Sequence, residues 1–280
     1  MSSQPKGTLI IIGGHEEKGG DGDREILTEV SKHARGRKKN LLLITVATSE
    51  PEAMAKQYRA TFKDLGVPDL DVLDIRSRED AFQPSAIEKV RQASVVFFTG
   101  GDQLRITSQI GDSPVYQCLR DIHADGATIA GTSAGAAAMP ETMLISGPGD
   151  TSDTISALGM APGLGLVDGV VIDSHFAERG RFGRLLGAVA QNPRNLGLGI
   201  DEDTAIVVHG ARDFDVLGTG AVYVVDGSGI TYSSLSEIHP EGILSLFDVK
   251  IHVLGKGDCF DLRERRPRIP EAPREHAAAG

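Results

Sequence analysis

The stretch Gly131-Thr132-Ser133-Ala134-Gly135 has the plainest chemical potential in this chain. It follows the short apolar run Ala127-Thr128-Ile129-Ala130 and precedes the small, helix-friendly run Ala136-Ala137-Ala138-Met139. That pattern reads as strand, tight turn and helix, with the serine at the tip. In a G-x-S-x-G turn the serine backbone is strained, and only glycine-sized neighbours let strand and helix pack close to it. The hydroxyl is then exposed, and the amide of the next residue, Ala134, points where an oxyanion would form. The same letters also describe an idle serine in a small-residue turn, so the surroundings must decide.

A serine nucleophile needs a base within hydrogen-bond reach and a group that orients the base. Of the eight histidines, His175 follows the apolar run Val170 to Asp173, which places it at a strand's carboxyl end. His209 also ends an apolar strand and stands second; His15, after Gly13-Gly14, stands third. For the orienting acid, Glu202 follows Leu198-Gly199-Ile200 and lies between Asp201 and Asp203. Three consecutive acids are often only a solvated turn, and Asp173, close to His175 in sequence, competes for the role. Arg179, Arg181 and Arg184 follow directly on His175. They offer bidentate recognition of a carboxylate, or else they decorate a helix and bridge to nearby acids.

Elements must bring these residues together. Thr8 to Ile12 is a continuous apolar, β-branched run that reads as a buried parallel strand ending in Gly13-Gly14. A helix is expected over Asp23 to Arg35 with Asp23 as its cap, a strand over Leu41 to Ala47, and a helix from Pro51 to near Gly66. A weaker strand over Leu70 to Ile75, a helix over Ser85 to Gln92, and a strand over Ser94 to Thr99 ending in Gly100-Gly101 follow. Strands alternating with helices predict a mostly parallel, doubly wound sheet with ligands at its carboxyl edge. Both glycine pairs lie at that edge, where backbone can come close to a ligand or to the Ser133 turn. Residues 147–169, rich in Gly, Ser and Pro, read as a long loop that could serve as a lid. A strand at Val170 to Asp173 and a helix carrying Arg179 to Val189 come next. Short alternating strands over roughly 205–254 predict antiparallel β structure appended to the sheet. The expected domain spans 1–262, with 263–280 a flexible tail.

The chain has 280 residues, 40% of them hydrophobic and 24% charged, with a formal charge of −10. That composition suits a soluble protein and argues against nucleic acid as the main partner. It has no apolar run long enough for a membrane span, and no secretory signal is expected from the polar first residues. Cys118 and Cys259 are the only cysteines, which fits a reducing, cytoplasmic setting and no disulfide framework.

Five stretches in order resemble the cyanophycinases, a serine-peptidase family that also contains aspartyl dipeptidases. They are Gly13-Gly14, Gly100-Gly101-Asp102-Gln103, the Ser133 pentapeptide, Asp173-Ser174-His175-Phe176 with Arg179-Gly180-Arg181-Phe182-Gly183-Arg184-Leu185, and Gly199-Ile200-Asp201-Glu202-Asp203-Thr204-Ala205. The resemblance implies Ser133 as nucleophile, His175 as base and Glu202 as orienting acid. The amides of Ala134 and Gly101 would form the oxyanion site, and Gln103, Asp173, Ser174, Arg179, Arg181 and Arg184 would bind substrate. Ser174 departs from the family, which commonly has glutamine there. The implied reaction is hydrolysis of cyanophycin, a poly-aspartate whose side-chain carboxyls each carry an amide-linked arginine, to β-aspartyl-arginine dipeptides in exopeptidase fashion. The alternative is an aspartyl dipeptidase. No metal or organic cofactor is implied, and a homodimer is. The implied fold is a three-layer α/β sandwich of the flavodoxin-like, class-I glutamine-amidotransferase-like kind.

Overall fold

The computed structural model of the chain describes residues 6–16, 24–35, 40–67, 69–145, 158–210, 212–237 and 243–268. The first half alternates strands and helices: β1 (Thr8–Ile12), α1 (Glu25–Ala34), β2 (Leu41–Ile44), α2 (Pro51–Asp64), β3 (Leu70–Leu73), α3 (Pro84–Gln92), β4 (Val95–Phe98), α4 (Gln103–Ile110), α5 (Pro114–Asp125), β5 (Thr128–Thr132) and α6 (Ala134–Ala137). The second half is mostly strand: β6 (Thr142–Ile145), β7 (Gly159–Pro162), β8 (Val170–Ser174), α7 (Phe182–Gln191), β9 (Leu196–Ile200), β10 (Thr204–His209), β11 (Asp213–Gly218), β12 (Val222–Asp226), β13 (Tyr232–Ser233), β14 (Leu246–Phe247), β15 (Lys250–Leu254), β16 (Cys259–Asp261) and β17 (Arg266–Arg268).

Nine strands form one sheet in the order β17-β16-β11-β10-β1-β5-β4-β2-β3. From β1 to β3 all neighbours are parallel, and from β10 to β17 all are antiparallel. Strand alternation sorts the parallel core onto two faces. Ile10, Ile12, Leu41, Leu43, Val95 and Phe97 meet α1 and α2 on one side. Leu9, Ile11, Leu42, Ile44, Val96 and Phe98 face the other side. Helices α3 to α5 share that second side with a smaller sheet, ordered β15-β12-β9-β8. Each large apolar side chain buried this way contributes about 1.5–3 kcal/mol. No helix among the described residues is long and apolar enough to cross a membrane.

Several expectations change. Helices α4 and α5 fill the stretch between Gly101 and Ala127, which the sequence reading left unassigned. Asp102 caps the first by accepting from the Leu104 amide at 2.9 Å, and Ser113 caps the second by accepting from that of Tyr116 at 3.2 Å. The expected α1 cap, Asp23, lies outside the described residues; the helix begins at Glu25 with Arg24 at its N-cap. Strands β10 and β11 continue the main sheet beside β1, whereas β12 and β15 build the second sheet. The predicted long loop is strand in part, since Gly159–Pro162 pairs with Thr142–Ile145. Residues 147–157 of that loop lie outside the described residues, as does 269–280 of the expected tail. That tail does not start at 263, because β17 pairs with β16.

Candidate active site

The turn at Ser133 shows why its flanking residues are glycine. A Cβ on Gly131 would lie 2.7 Å from the Gly135 carbonyl carbon, and one on Gly135 would lie 2.6 Å from the Phe98 carbonyl oxygen. The two glycines let β5, α6 and β4 approach closely, and Ser133 between them takes φ +53°, ψ −111°. That backbone region is unfavourable for a residue with a Cβ and costs on the order of 1–3 kcal/mol. Ala134 opens α6, so its amide belongs to the helix's first turn. The Gly100-Gly101 turn adjoins: the Cβ direction of Gly100 ends 3.4 Å from the Ser133 Cβ.

His175 and Glu202 arrive from the smaller sheet. Strands β8 and β9 are parallel neighbours, so their carboxyl ends open side by side. Ser133 Oγ lies 2.8 Å from His175 Nε2, and His175 Nδ1 lies 2.7 Å from Glu202 Oε1. A carboxylate only accepts, so Nδ1 carries the proton and Nε2 presents its lone pair to the Ser133 hydroxyl. Space for the imidazole comes from Gly14, at φ +119°, where a Cβ would meet His175 Cε1 at 2.3 Å. Beneath it Phe176 is fully buried and packs on Phe182 and Tyr223 with ring centroids 5.1 and 5.0 Å away.

The other expected site residues fall elsewhere. Asp173 is turned to the arginines. Its Oδ1 accepts from Arg181 Nη1 at 2.9 Å, and its Oδ2 lies 3.1 Å from Arg184 Nε. Arg181 also donates to the Ser174 carbonyl at 2.7 Å. Asp173, Ser174 and Arg181 are all buried, and Asp173, implied above as a substrate contact, sits in an internal ion cluster. Nor do the arginines share one helix, since α7 starts at Phe182 and exposed Arg179 stands in the turn before it. Gln103 donates to the Leu144 carbonyl at 2.9 Å. His209 sits at the opposite sheet edge, level with Thr8, because β10 runs antiparallel to β1. His15 is exposed and lies 3.8 Å from Asp203. Neither cysteine offers a competing nucleophile: burial pushes the Cys259 thiol up to about 11, and that of Cys118 is raised for the same reason.

The sequence reading missed two anchors. Asp201 accepts from the Ala177 amide at 2.9 Å and the Ala221 amide at 3.1 Å, tying the His175 turn to β12. Glu16 is buried and accepts from both Thr132 Oγ1 and Tyr58 OH. An acid two residues past a glycine pair at a strand end was the available signal.

Comparison with known proteins identifies the family: the model described as peptidase family S51 matches residues 9–214. The chain belongs to peptidase family S51. It is a serine peptidase, a hydrolase. The S51 chain is 37% identical to a cyanophycinase of Nostoc sp. over 93% of its own length and 87% of the relative's. Identity is 34% with the cyanophycinase of Geminocystis herdmanii, covering 95% and 98%, and 35% with that of Thermosynechococcus vestitus, covering 92% and 80%. Among solved structures, a peptidase from an acI-B1 actinobacterium superposes with TM-score 0.70 at 21% identity, covering 93% of this chain and 98% of that one. A putative peptidase E protein from Listeria monocytogenes reaches TM-score 0.53 at 17% identity, covering 76% and 99%. At those identities the two structures speak for the fold alone.

Proposed function

We propose that this S51 peptidase hydrolyses cyanophycin to β-aspartyl-arginine dipeptides through an acyl-enzyme on Ser133. The observation that carries the reading is the unbroken hydrogen-bonded chain from Ser133 Oγ through His175 to Glu202; the choice of substrate leans on the cyanophycinase relatives. His175 Nε2 takes the Ser133 proton as Oγ adds to the backbone carbonyl, and Glu202 stabilises the imidazolium. The amides of Ala134 and Gly101 receive the oxyanion. His175 then gives that proton to the leaving amine and the C–N bond breaks. Water, deprotonated by His175, attacks the ester, and Oγ regains its proton as the dipeptide leaves.

In this reading Asp173 acts by holding Arg181 and Arg184 in the wall of the site. Exposed Arg179 is the guanidinium best placed to meet the free carboxylate of the substrate arginine, with half-buried Gln103 lining the approach; buried Ser174 contributes its carbonyl to Arg181. The architecture is taken as the three-layer, flavodoxin-like sandwich of one hydrolytic domain, working as a cytoplasmic homodimer. Incubation with purified cyanophycin, followed by mass analysis, tests the proposal. Release of β-aspartyl-arginine supports it; an untouched polymer alongside cleaved small aspartyl dipeptides would replace it with a dipeptidase.

A further inference from the structure

We infer that Glu16 is a positioning residue for catalysis, fixing the end of β1 and the glycine turn after it, from which Ser133, His175 and the Glu202 turn are all hung. The inference rests on the reading of Ser133 as nucleophile. The Ser133 amide donates to the Ile12 carbonyl at 3.0 Å, that of His175 to Gly13 at 2.8 Å, and that of Asp203 to Gly14 at 3.0 Å. Three consecutive carbonyls therefore set the positions of the nucleophile, the base and the residue next to the orienting acid. The three donors come from the ends of β5, β8 and β9, so a shift in this loop displaces them relative to one another.

Two glycines followed by His15 at φ +49° do not hold a loop still by their own conformational preference. The Gly13 amide donates to the Thr204 carbonyl at 2.9 Å, and the Glu16 side chain adds the restraint towards the nucleophile strand. It is 2% exposed and bridges Thr132, the residue before Ser133, to Tyr58 of α2. Tyr58 is itself fixed, its ring centroid 5.0 Å from that of Phe97. Burial pushes the Tyr58 phenol well above its usual range, and the charge of Glu16 and the bond to it push it further, so it stays protonated and donates. Burying a carboxylate is costly unless its lone pairs are satisfied. If packing alone were needed, an apolar side chain would serve better. The bridge is instead built where loop and nucleophile strand must keep register.

The test measures the rate at which a fluorophosphonate labels the full-length protein, with kcat and KM on a small activated ester. Glu16→Ala should lower labelling rate and kcat on the order of a hundredfold with KM little changed, as an ångström-scale misplacement does. Glu16→Gln keeps the shape and can still bond both hydroxyls, so it should remain within about threefold of wild type. Should Glu16→Ala fail to fold, Thr132→Val, which cuts the same bridge, takes its place. Wild-type rates in Glu16→Ala or its substitute, or a Glu16→Gln as slow as the alanine variant, would overturn the inference while leaving Ser133 as nucleophile. A wild-type protein that is not labelled at all would overturn both.

Discussion

At the scale of single residues, two buried or half-buried acids near one histidine have been given different work. Glu202 lies 2.7 Å from His175 Nδ1, whereas Asp173 faces Arg181 at 2.9 Å and Arg184 at 3.1 Å. Glu202→Gln should therefore depress turnover of a small activated ester strongly, with little change in melting temperature. Asp173→Asn strips the carboxylate from two buried guanidiniums and should destabilise the fold by about 3–5 kcal/mol. Ester kinetics and thermal melts on the two variants check this; a stable but inactive Asp173→Asn would reverse the assignment. Arg179 belongs at this scale too. Its exposed guanidinium, set in the turn after His175, should contribute about 1.5–3 kcal/mol through charge-assisted bonds to a substrate carboxylate. Arg179→Ala should raise KM for β-aspartyl-arginine substrates, but not for ones whose arginine carboxylate is amidated. Equal effects on both would remove Arg179 from recognition.

At the scale of elements, local chemistry was legible and pairing was not. The glycine spacing around Ser133 predicts strand, turn and helix because the constraint is steric and acts within five residues. Pro51 at the start of α2 and Gly66 at φ +81° just past its end mark that helix in the same local way. By contrast, which acid reaches His175 depends on β8 and β9 lying side by side in a second sheet, and no local pattern reports that partnership. The C-terminal edge escaped notice for the same reason: Arg263 to Arg268 is polar and basic, yet β17 is held by Arg268 on Asp261 at 2.7 Å and Asp213 at 2.6 Å. The amide of Glu264, then Arg268 and the Arg263 amide, lower the Asp261 carboxyl to about 2. An unfolded aspartate titrates near about 3.9, so the stabilisation is fully present above that pH and is lost as pH falls towards about 2. Hydrogen exchange at the Arg266 and Arg268 amides should be faster in Asp261→Asn than in wild type at neutral pH. The gap should shrink as pH is lowered through that window; a gap undiminished at about pH 2 would show that ionisation of Asp261 is not what holds the strand.

At the scale of the molecule, two sheets meet so that five strands release their ends into one place. The parallel half of the large sheet brings Gly14, Gly100 and Ser133, and the smaller sheet brings His175 and Glu202. The parallel half was legible because buried apolar runs alternate with helices, while the division of the later strands between two sheets was not. If this meeting point is an acyl-transfer site with Ser133 as its nucleophile, treating the intact protein with a fluorophosphonate and mapping the adduct by peptide mass will locate it there. One adduct is expected, on Ser133, forming at least about a hundredfold more slowly in His175→Ala. An adduct on another residue, or one on Ser133 that forms just as fast without His175, would contradict that assignment.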